Sequence, residues 1–158
     1  MDSGFADPDL RRLAGEVWDL IEEPVRDRAS PFRTPVLASL GRDGWPRSRT
    51  VIVRDAERAA RRVTAFTDAR SAKAAELAAD PRAALTWYAA ERQIQLRGWA
   101  RARLHAGDAR TRACWEALPP VLRAVYGGAP GPGAPIGAAG SGRPAFDGPP
   151  SAEAVEPG

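Results

Sequence analysis

Apolar residues near the start of the chain recur at the spacing of one helix face. This stripe consists of Leu10, Leu13, Val17, Leu20 and Ile21. Asp7 precedes the stripe as a suitable N-cap, and Pro8 fits the first turn because that position needs no backbone N–H. The pattern predicts a helix over residues 7–28 that ends or kinks at Pro24.

Short apolar stretches rich in β-branched residues follow this helix, separated by turn signals and polar residues. They predict strands over residues 34–40, 47–54 and 62–67. Asp43-Gly44 predicts a tight turn between the first two strands. Residues 55–61 are polar and are predicted to connect the second strand to the third.

Helical and strand patterns then alternate to the end of the apolar part of the chain. The remaining predicted elements are a helix over 71–80 capped by Ser71, strands over 82–88 and 92–104, and helices over about 108–126 broken at Pro119-Pro120. This order of elements predicts a mainly β fold, a small antiparallel barrel with flanking helices.

Composition changes after Tyr126. Residues 127–158 are dominated by Gly, Pro and Ala and offer little to bury. We therefore expect one folded domain over residues 1–126, followed by a flexible tail or long loop over 127–158. The chain is then either a natural short form or part of a longer protein.

Charge and composition narrow the class of protein. The net charge is +3 without a basic run, which argues against a nucleic-acid partner, and no apolar run has the length of a membrane span. The single cysteine, Cys114, fits a reducing cytoplasm. His105 is the only histidine, so a histidine metal cluster is excluded and no metal site is expected.

The segment "RSRTVIVR" brackets a short apolar strand with arginines. Arg49 and Arg54 are separated by roughly 17 Å at the usual strand rise. One arginine could hold the phosphate of an extended mononucleotide while the other approaches its far end, with Thr50–Val53 presenting backbone groups to a flat ring. Taken alone, the pattern favours the alternative, which is a solvated edge strand.

A second candidate lies where the predicted strand ending at Phe66-Thr67 meets the helix beginning at Ser71. A helix N-terminus offers free N–H groups and partial positive charge, which suit a phosphate. Lys73, the only lysine, lies in the first helical turn, where a cation is unfavourable unless an anion is near. The alternative is that Lys73 points into solvent.

A third candidate is a pair of glutamines. Gln93 and Gln95 would share one face of a strand, with Ile94 and Leu96 on the other. Glutamine can donate and accept hydrogen bonds, so it can bind the edge of a heterocycle. By itself, a merely polar outer strand face explains the pattern better.

The three segments together are similar to the pyridoxamine 5'-phosphate oxidase-like family of FMN-binding split-barrel proteins. "RTVIVR", "FTDARSAK" and "ERQIQLRG" occur in the order and at the intervals of that family, and the resemblance covers residues 32–104. It implies an FMN-binding split β-barrel and a homodimer with two flavin sites at the subunit interface.

The resemblance also implies roles for individual residues. Arg49, Ser71 and Lys73 would bind the FMN phosphate, and Phe66 and Thr67 would lie beside the flavin and its ribityl chain. Arg54 stands where the oxidases usually have a lysine near the ring and substrate. The residues that would line or bond the flavin are Thr50, Val51, Ile52, Val53 and Gln93.

Three departures from the oxidase pattern limit what is expected of the activity. Ala72 stands where an arginine usually precedes the phosphate lysine, and Arg70 is a candidate substitute. Residues 115–131 match no substrate-binding Arg-Pro-x-x-Ser segment, and the oxidases' final strand with its tryptophan and arginine has no counterpart.

The leading functional hypothesis is an FMN-dependent oxidoreductase that acts on an unidentified small molecule, with no catalytic side chain assigned. One alternative is a flavin carrier or sensor without turnover, which the unmatched substrate residues favour. Another is a split-barrel protein that uses haem or deazaflavin.

Overall fold

A computed structural model describes residues 7–128 and 130–138. Within these ranges the chain forms a helix, four strands, a second helix, two more strands and two further helices. The bounds are α1 Pro8–Arg26, β1 Val36–Leu40, β2 Pro46–Thr50, β3 Val53–Glu57, β4 Arg62–Ala65, α2 Ala72–Ala79, β5 Arg82–Ala89, β6 Ile94–Arg101, α3 Ala109–Ala117 and α4 Pro120–Arg123. Single-turn 3-10 helices occupy Pro31–Arg33 and Ala124–Tyr126.

The strands form two separate antiparallel sheets. One sheet has four strands in the order β2-β1-β5-β6, and the other is the β3-β4 hairpin. Val36 of β1 lies opposite Thr50 on one side and Thr86 on the other, so β1 is an interior strand. The predicted class, mainly β with flanking helices, is confirmed, and no closed ring of strands forms in the part of the chain described.

The single strand predicted over residues 47–54 is wrong. It is two strands, because β2 ends at Thr50 and β3 begins at Val53 in the other sheet. The chain crosses between the sheets at Val51 and Ile52, and the Val51 N–H donates to the Pro35 carbonyl over 3.0 Å. The predicted polar connection is correspondingly shorter, since β3 continues to Glu57.

Helix α1 begins as predicted but does not end at Pro24. The Asp7 carboxylate accepts a hydrogen bond of 2.8 Å from the Asp9 N–H, which makes it the N-cap. The helix continues to Arg26, with Pro24 buried inside it. Only the C-terminal part of the apolar stripe is covered, because Leu10 and Leu13 remain exposed while Ile21 is buried.

The core lies against the inner face of the four-stranded sheet. Phe32, Trp87 and Ala89 form a buried cluster at its centre, and α1 and the β3-β4 hairpin cover it. The partly buried residues packed around them are Leu20, Val63, Leu85, Ile94 and Leu96. Ile94 and Leu96 therefore face inward, as their alternation with the two glutamines predicts.

The opposite face of this sheet carries exposed apolar side chains, which we call the outer sheet face: Val36, Leu40, Tyr88 and Trp99. The register places these residues on one side, since Ala84, four residues before Tyr88 on β5, lies opposite Trp99. Trp99 is 89% exposed. Among the helices in the described ranges, none has the length and apolar character needed to cross a membrane.

Candidate functional site

The loop from β4 to α2 gathers hydroxyl groups around the lysine. Lys73 Nζ donates to Thr67 Oγ1 over 2.8 Å, and Thr67 Oγ1 lies 3.1 Å from Ser71 Oγ. Ser71 occupies the N-cap position as predicted, but its side chain donates to the Asp68 carbonyl and leaves the first N–H groups of α2 without a side-chain cap. Lys73 is half-buried, so the alternative that it points into solvent is wrong.

Arg49 reaches the same helix from β2. Its Nη2 donates to Glu76 Oε2 over 2.6 Å, and its Nη1 donates to Ser39 Oγ over 2.5 Å. The Ser39 hydroxyl in turn donates to Glu76 Oε2 over 2.6 Å. The Arg49 side chain is 22% exposed, so it is not the solvated end of an edge strand. Arg47, by contrast, is exposed and pairs with Asp43 in the hairpin turn.

The charges on β2 and α2 shift the pKa values of Lys73 and Glu76. Burial lowers the pKa of the Lys73 ammonium, the positive charge of Arg49 lowers it further, and Asp68 and Glu76 act in the opposite direction. Burial alone would raise the pKa of the Glu76 carboxyl, but hydrogen bonds from Ser39 and Arg49 outweigh it and the pKa is lowered. The fold therefore keeps two cations close to one buried carboxylate.

We call Arg49, Thr67, Ser71 and Lys73 the cationic cluster. It combines a guanidinium, an ammonium and two hydroxyls at the start of an eight-residue helix. This donor set fits a terminal phosphate, because the groups can surround its oxygens with charge-assisted hydrogen bonds. Across the residues the structure describes, no group of His, Cys, Asp and Glu could hold a metal ion.

Arg54 lies in the other sheet, away from the Arg49 network. Its Cζ is 5.7 Å from the centroid of the Phe66 ring, a cation–π distance. The residues between the two arginines differ in exposure: Thr50 and Ile52 are exposed, whereas Val53 is 1% exposed and belongs to the core. Val53 is therefore almost wholly covered by the rest of the chain.

Gln93 is not on a strand, which corrects the prediction. It lies in the turn between β5 and β6 with φ of 52°, and β6 begins at Ile94. Gln95 is the glutamine on the strand, opposite Tyr88 on the outer sheet face. Gln93 is exposed in this turn, and its role at the flavin stays a prediction.

Arg70 is engaged elsewhere than in the cationic cluster. Its Nη2 pairs with Asp68 Oδ2 over 2.6 Å and donates to the Tyr126 carbonyl over 2.7 Å. The Arg70 hydrogen bond lowers the pKa of the Asp68 carboxyl against the effect of burial. Arg70 thus ties the loop before α2 to the chain beyond α4, rather than substituting for the arginine absent at Ala72.

Sequence reasoning missed Ser39 and Glu76. Ser39 lies on β1 in a stretch that shows only strand alternation, so no local signal distinguishes it. Glu76 follows Lys73 by three residues, which places both on neighbouring positions of one helix face. That spacing is the one sequence signal that could have brought Glu76 into the candidate site.

The two antiparallel sheets with their flanking helices define a protein of the split-barrel class. The family model for the pyridoxamine 5'-phosphate oxidase FMN-binding domain matches residues 16–106. This is more than half of the chain, which therefore belongs to that family. The predicted resemblance and the predicted cofactor are confirmed, since FMN is the ligand of the matched domain.

Curated relatives match about half of the chain. Pyridoxine/pyridoxamine 5'-phosphate oxidase of Mycolicibacterium paratuberculosis is 48% identical over 80 residues, which are 49% of this chain and 36% of the relative. The protein of the same description from Pseudomonas paraeruginosa is 42% identical over 89 residues, which are 51% of this chain and 40% of the relative. The matches thus span well under half the length of either relative.

Solved structures show the same fold. A pyridoxamine 5'-phosphate oxidase-related, FMN-binding protein from Nostoc punctiforme has a TM-score of 0.62 at 26% identity, over 78% of this chain and 66% of the other. PhzG from Burkholderia lata has a TM-score of 0.59 at 20% identity, over 80% of this chain and 60% of the other. The second likeness concerns the fold alone.

Proposed function

We propose that this protein is an FMN-dependent oxidoreductase that acts on a small molecule and binds the FMN phosphate at the cationic cluster. The observation that carries the proposal is the hydrogen-bonded group of Lys73, Thr67 and Ser71 at the start of α2, with the Arg49 charge acting on Lys73 from β2. The Arg49 charge acts unfavourably on the Lys73 ammonium, and a bound dianion would offset that repulsion.

The other predicted site residues would orient the rest of the cofactor. Thr50–Val53 would line the flavin where the chain crosses between the sheets, with Phe66 beside the ring and Gln93 at its edge. Bound FMN supplies the electron transfer, and the protein binds, orients and tunes it. Arg54, half-buried over Phe66, would place a cation near the ring and favour an anionic substrate or reduced flavin.

A carrier or sensor without turnover is the second candidate, and one contact favours it. Arg123 is the only arginine in residues 115–131, where the oxidases have a substrate-binding segment. Its Nε donates to the Leu118 carbonyl and its Nη2 to the Glu116 carbonyl, both over 2.8 Å. An arginine engaged in ending a helix is poorly placed to hold a substrate.

The outer sheet face supports the proposed homodimer. Trp99, Tyr88, Leu40 and Val36 present apolar surface from neighbouring strands, whereas a monomer would leave this surface in water. A closed two-fold dimer is the commonest assembly of identical chains.

Titration with flavins tests the cofactor part of the proposal. Purified full-length protein should bind FMN more tightly than FAD, because the cluster fits a terminal phosphate and a further nucleotide has to be accommodated beyond it. Isothermal calorimetry or quenching of flavin fluorescence measures both constants. Tighter binding of FAD, or binding of neither flavin, would contradict the proposal.

Substrate-dependent reduction of the flavin separates the enzyme from the carrier. FMN-loaded protein should lose its oxidised flavin absorbance under anaerobic conditions when a reducing substrate is supplied, and pyridoxamine 5'-phosphate is the first compound to try. A panel of primary amines, alcohols and reduced nicotinamides extends the test. Protein that binds FMN tightly but is reduced by none of these compounds favours the carrier.

A further inference from the structure

Glu76 is a buried carboxylate directly behind the proposed phosphate site. It is 6% exposed, and so is Ser39 beside it at 6%. We propose that Glu76 is a positioning residue for the FMN phosphate, which acts by holding the Arg49 guanidinium in the orientation that binds the phosphate. The inference rests on the proposed FMN site and adds to it a residue that does not itself touch the cofactor.

Three contacts carry the inference. The Glu76 carboxylate accepts from Arg49 over 2.6 Å and from Ser39 over 2.6 Å, while Ser39 accepts from Arg49 over 2.5 Å. The three side chains come from α2, β1 and β2, so the network closes across three elements. Two of the five guanidinium N–H groups are used, and the planar fork of the others is held in one direction.

A packing role alone does not account for a carboxylate at this position. Ala74 and Leu77 are the buried apolar residues through which α2 packs. Desolvating a carboxylate is costly, and an apolar residue is often as stabilising as a buried ion pair. The exposed pairs of the chain, such as Arg47 with Asp43 at 50% and 51% side-chain exposure, carry no such cost. The buried pair is therefore explained better by a need to orient Arg49.

The direction in which FMN affinity changes when Glu76 is removed distinguishes a positioning role from simple charge repulsion. Glu76 brings a negative charge toward a site for a dianion, so Coulomb repulsion alone predicts that its removal tightens FMN binding. Orientation predicts the opposite, because an arginine without its partners must give up rotamer freedom to bind the phosphate. We expect orientation to win, since Arg49 has a long side chain and Glu76 is already neutralised by it.

The experiment compares FMN with riboflavin, which lacks the phosphate. The variants are Glu76→Gln, which keeps the shape and removes the charge, and Ser39→Ala, which removes the bridging hydroxyl. Glu16→Gln is the matched control, because Glu16 forms an exposed pair with Arg12 on α1. Dissociation constants of both flavins are measured by fluorescence quenching, and circular dichroism monitors folding.

Glu76→Gln should weaken FMN binding by about tenfold, because Arg49 loses the partner that orients its charge-assisted contact to the phosphate. Riboflavin has no phosphate, so its binding should weaken by less than about twofold. Ser39→Ala should change the same ratio in the same direction by a smaller factor, and Glu16→Gln should leave it unchanged. In an Arg49→Ala background, Glu76→Gln should cause no further loss, because the residue it positions is absent.

Equal losses of FMN and riboflavin in Glu76→Gln would make Glu76 merely structural and overturn the inference. Unchanged or tighter FMN binding would overturn it as well. Should Glu76→Gln fail to fold, Ser39→Ala decides by the same ratio of affinities. Wild-type protein that binds FMN no better than riboflavin would instead refute the proposed phosphate site, and the inference with it.

Discussion

At the scale of single residues, the site depends on charged side chains that are partly buried. Lys73 is half-buried beside Thr67, and Arg49 lies in the Glu76–Ser39 network. Each cation keeps hydrogen-bonding capacity beyond these contacts, because an ammonium has three donors and a guanidinium has five. The two residues are therefore ordered in advance for an anion, which reduces the entropy lost on binding.

Substitutions at the two ends of the proposed ligand site should have different kinds of effect on FMN. Arg49→Ala and Lys73→Ala each remove a charge-assisted contact of roughly 1.5–3 kcal/mol, so FMN affinity should fall by about one to two orders of magnitude. Arg54→Ala should leave the affinity much less affected and should change the flavin reduction potential or the turnover instead. Flavin titrations and potentiometry of the three variants measure both effects.

The FMN affinity of both phosphate-site variants should also fall less with added salt than that of a neutral substitution elsewhere, because one of the attractions that salt screens has been removed. If Arg49→Ala binds FMN like the wild type, or if Arg54→Ala is the variant that loses the cofactor, the proposed orientation of the ligand is wrong.

FMN binding should weaken at alkaline pH because of Lys73. Burial and then Arg49 lower the pKa of this ammonium, so it loses its proton at a lower pH than an ordinary lysine. The protonated form binds the phosphate dianion, and affinity should therefore be retained below the Lys73 pKa and lost as the pH rises through it. The ratio of FMN to riboflavin affinity measures the effect, since riboflavin shares the titration of the flavin ring.

Lys73→Arg is the matched variant, because arginine stays protonated at every accessible pH. Its FMN-to-riboflavin ratio should stay flat over the range in which the wild type declines. A wild-type ratio that is equally flat would show that Lys73 does not titrate at the phosphate.

At the scale of elements, the β1-β2 hairpin shows how local sequence and geometry agree. The turn between these strands closes with the Gly44 N–H donating to the Gly41 carbonyl over 2.8 Å. Gly44 has φ of 83°, in the left-handed region that side chains rarely adopt. The hairpin aligns β2 on β1, which brings Arg49 and Ser39 onto the same face of the sheet.

Gly44→Ala should destabilise the protein by about 1–2 kcal/mol, the cost of a left-handed conformation for a residue with a Cβ. Gly15→Ala is the matched control, because Gly15 lies inside α1 with nothing within 4 Å of an added Cβ. That change should stabilise the protein by about 0.5–1 kcal/mol. Urea unfolding measures both free energies. Two substitutions that shift the midpoint in the same direction would show that the turn does not require glycine.

At the scale of the whole molecule, the feature to be explained is the exposed apolar surface of the outer sheet face. The inner face of the four-stranded sheet is covered by α1, α2 and the hairpin, while the outer sheet face has no cover within the residues described. A stable interface buries about 800 Å² on each partner. A sheet face that carries Tyr88 on β5 and Trp99 on the edge strand β6 offers aromatic surface for such pairing.

FMN-loaded protein should be a dimer by light scattering, and Trp99→Asp should shift it toward the monomer, because a charge replaces an aromatic residue in the interface. Leu13→Asp is the control, since Leu13 is a similarly exposed apolar residue on α1, at 52% exposure. A monomeric flavin-loaded wild type would contradict the prediction. Equal dissociation by both variants would place the interface elsewhere.

The sequence alone determined the features that depend on neighbouring residues. The Asp7 cap, the Asp43-Gly44 turn and the start of α2 at Ser71 are each decided within a few residues by backbone geometry and short hydrogen bonds. The spacing of the three motifs also identified the family and its cofactor. All of these signals are local or are preserved as short sequence patterns.

The tertiary structure alone decided which strands pair and which partner Arg49 takes. Residues 47–54 have strand propensity throughout, but propensity does not specify a sheet, so the crossing at Val51 and Ile52 depends on the strands that lie beside them. Gln93 was likewise predicted on a strand from its local pattern, but strand pairing in the folded chain places it in the β5-β6 turn. Glu76 is 27 residues from Arg49 along the chain, and only the packing of α2 on the sheet brings the carboxylate to the guanidinium.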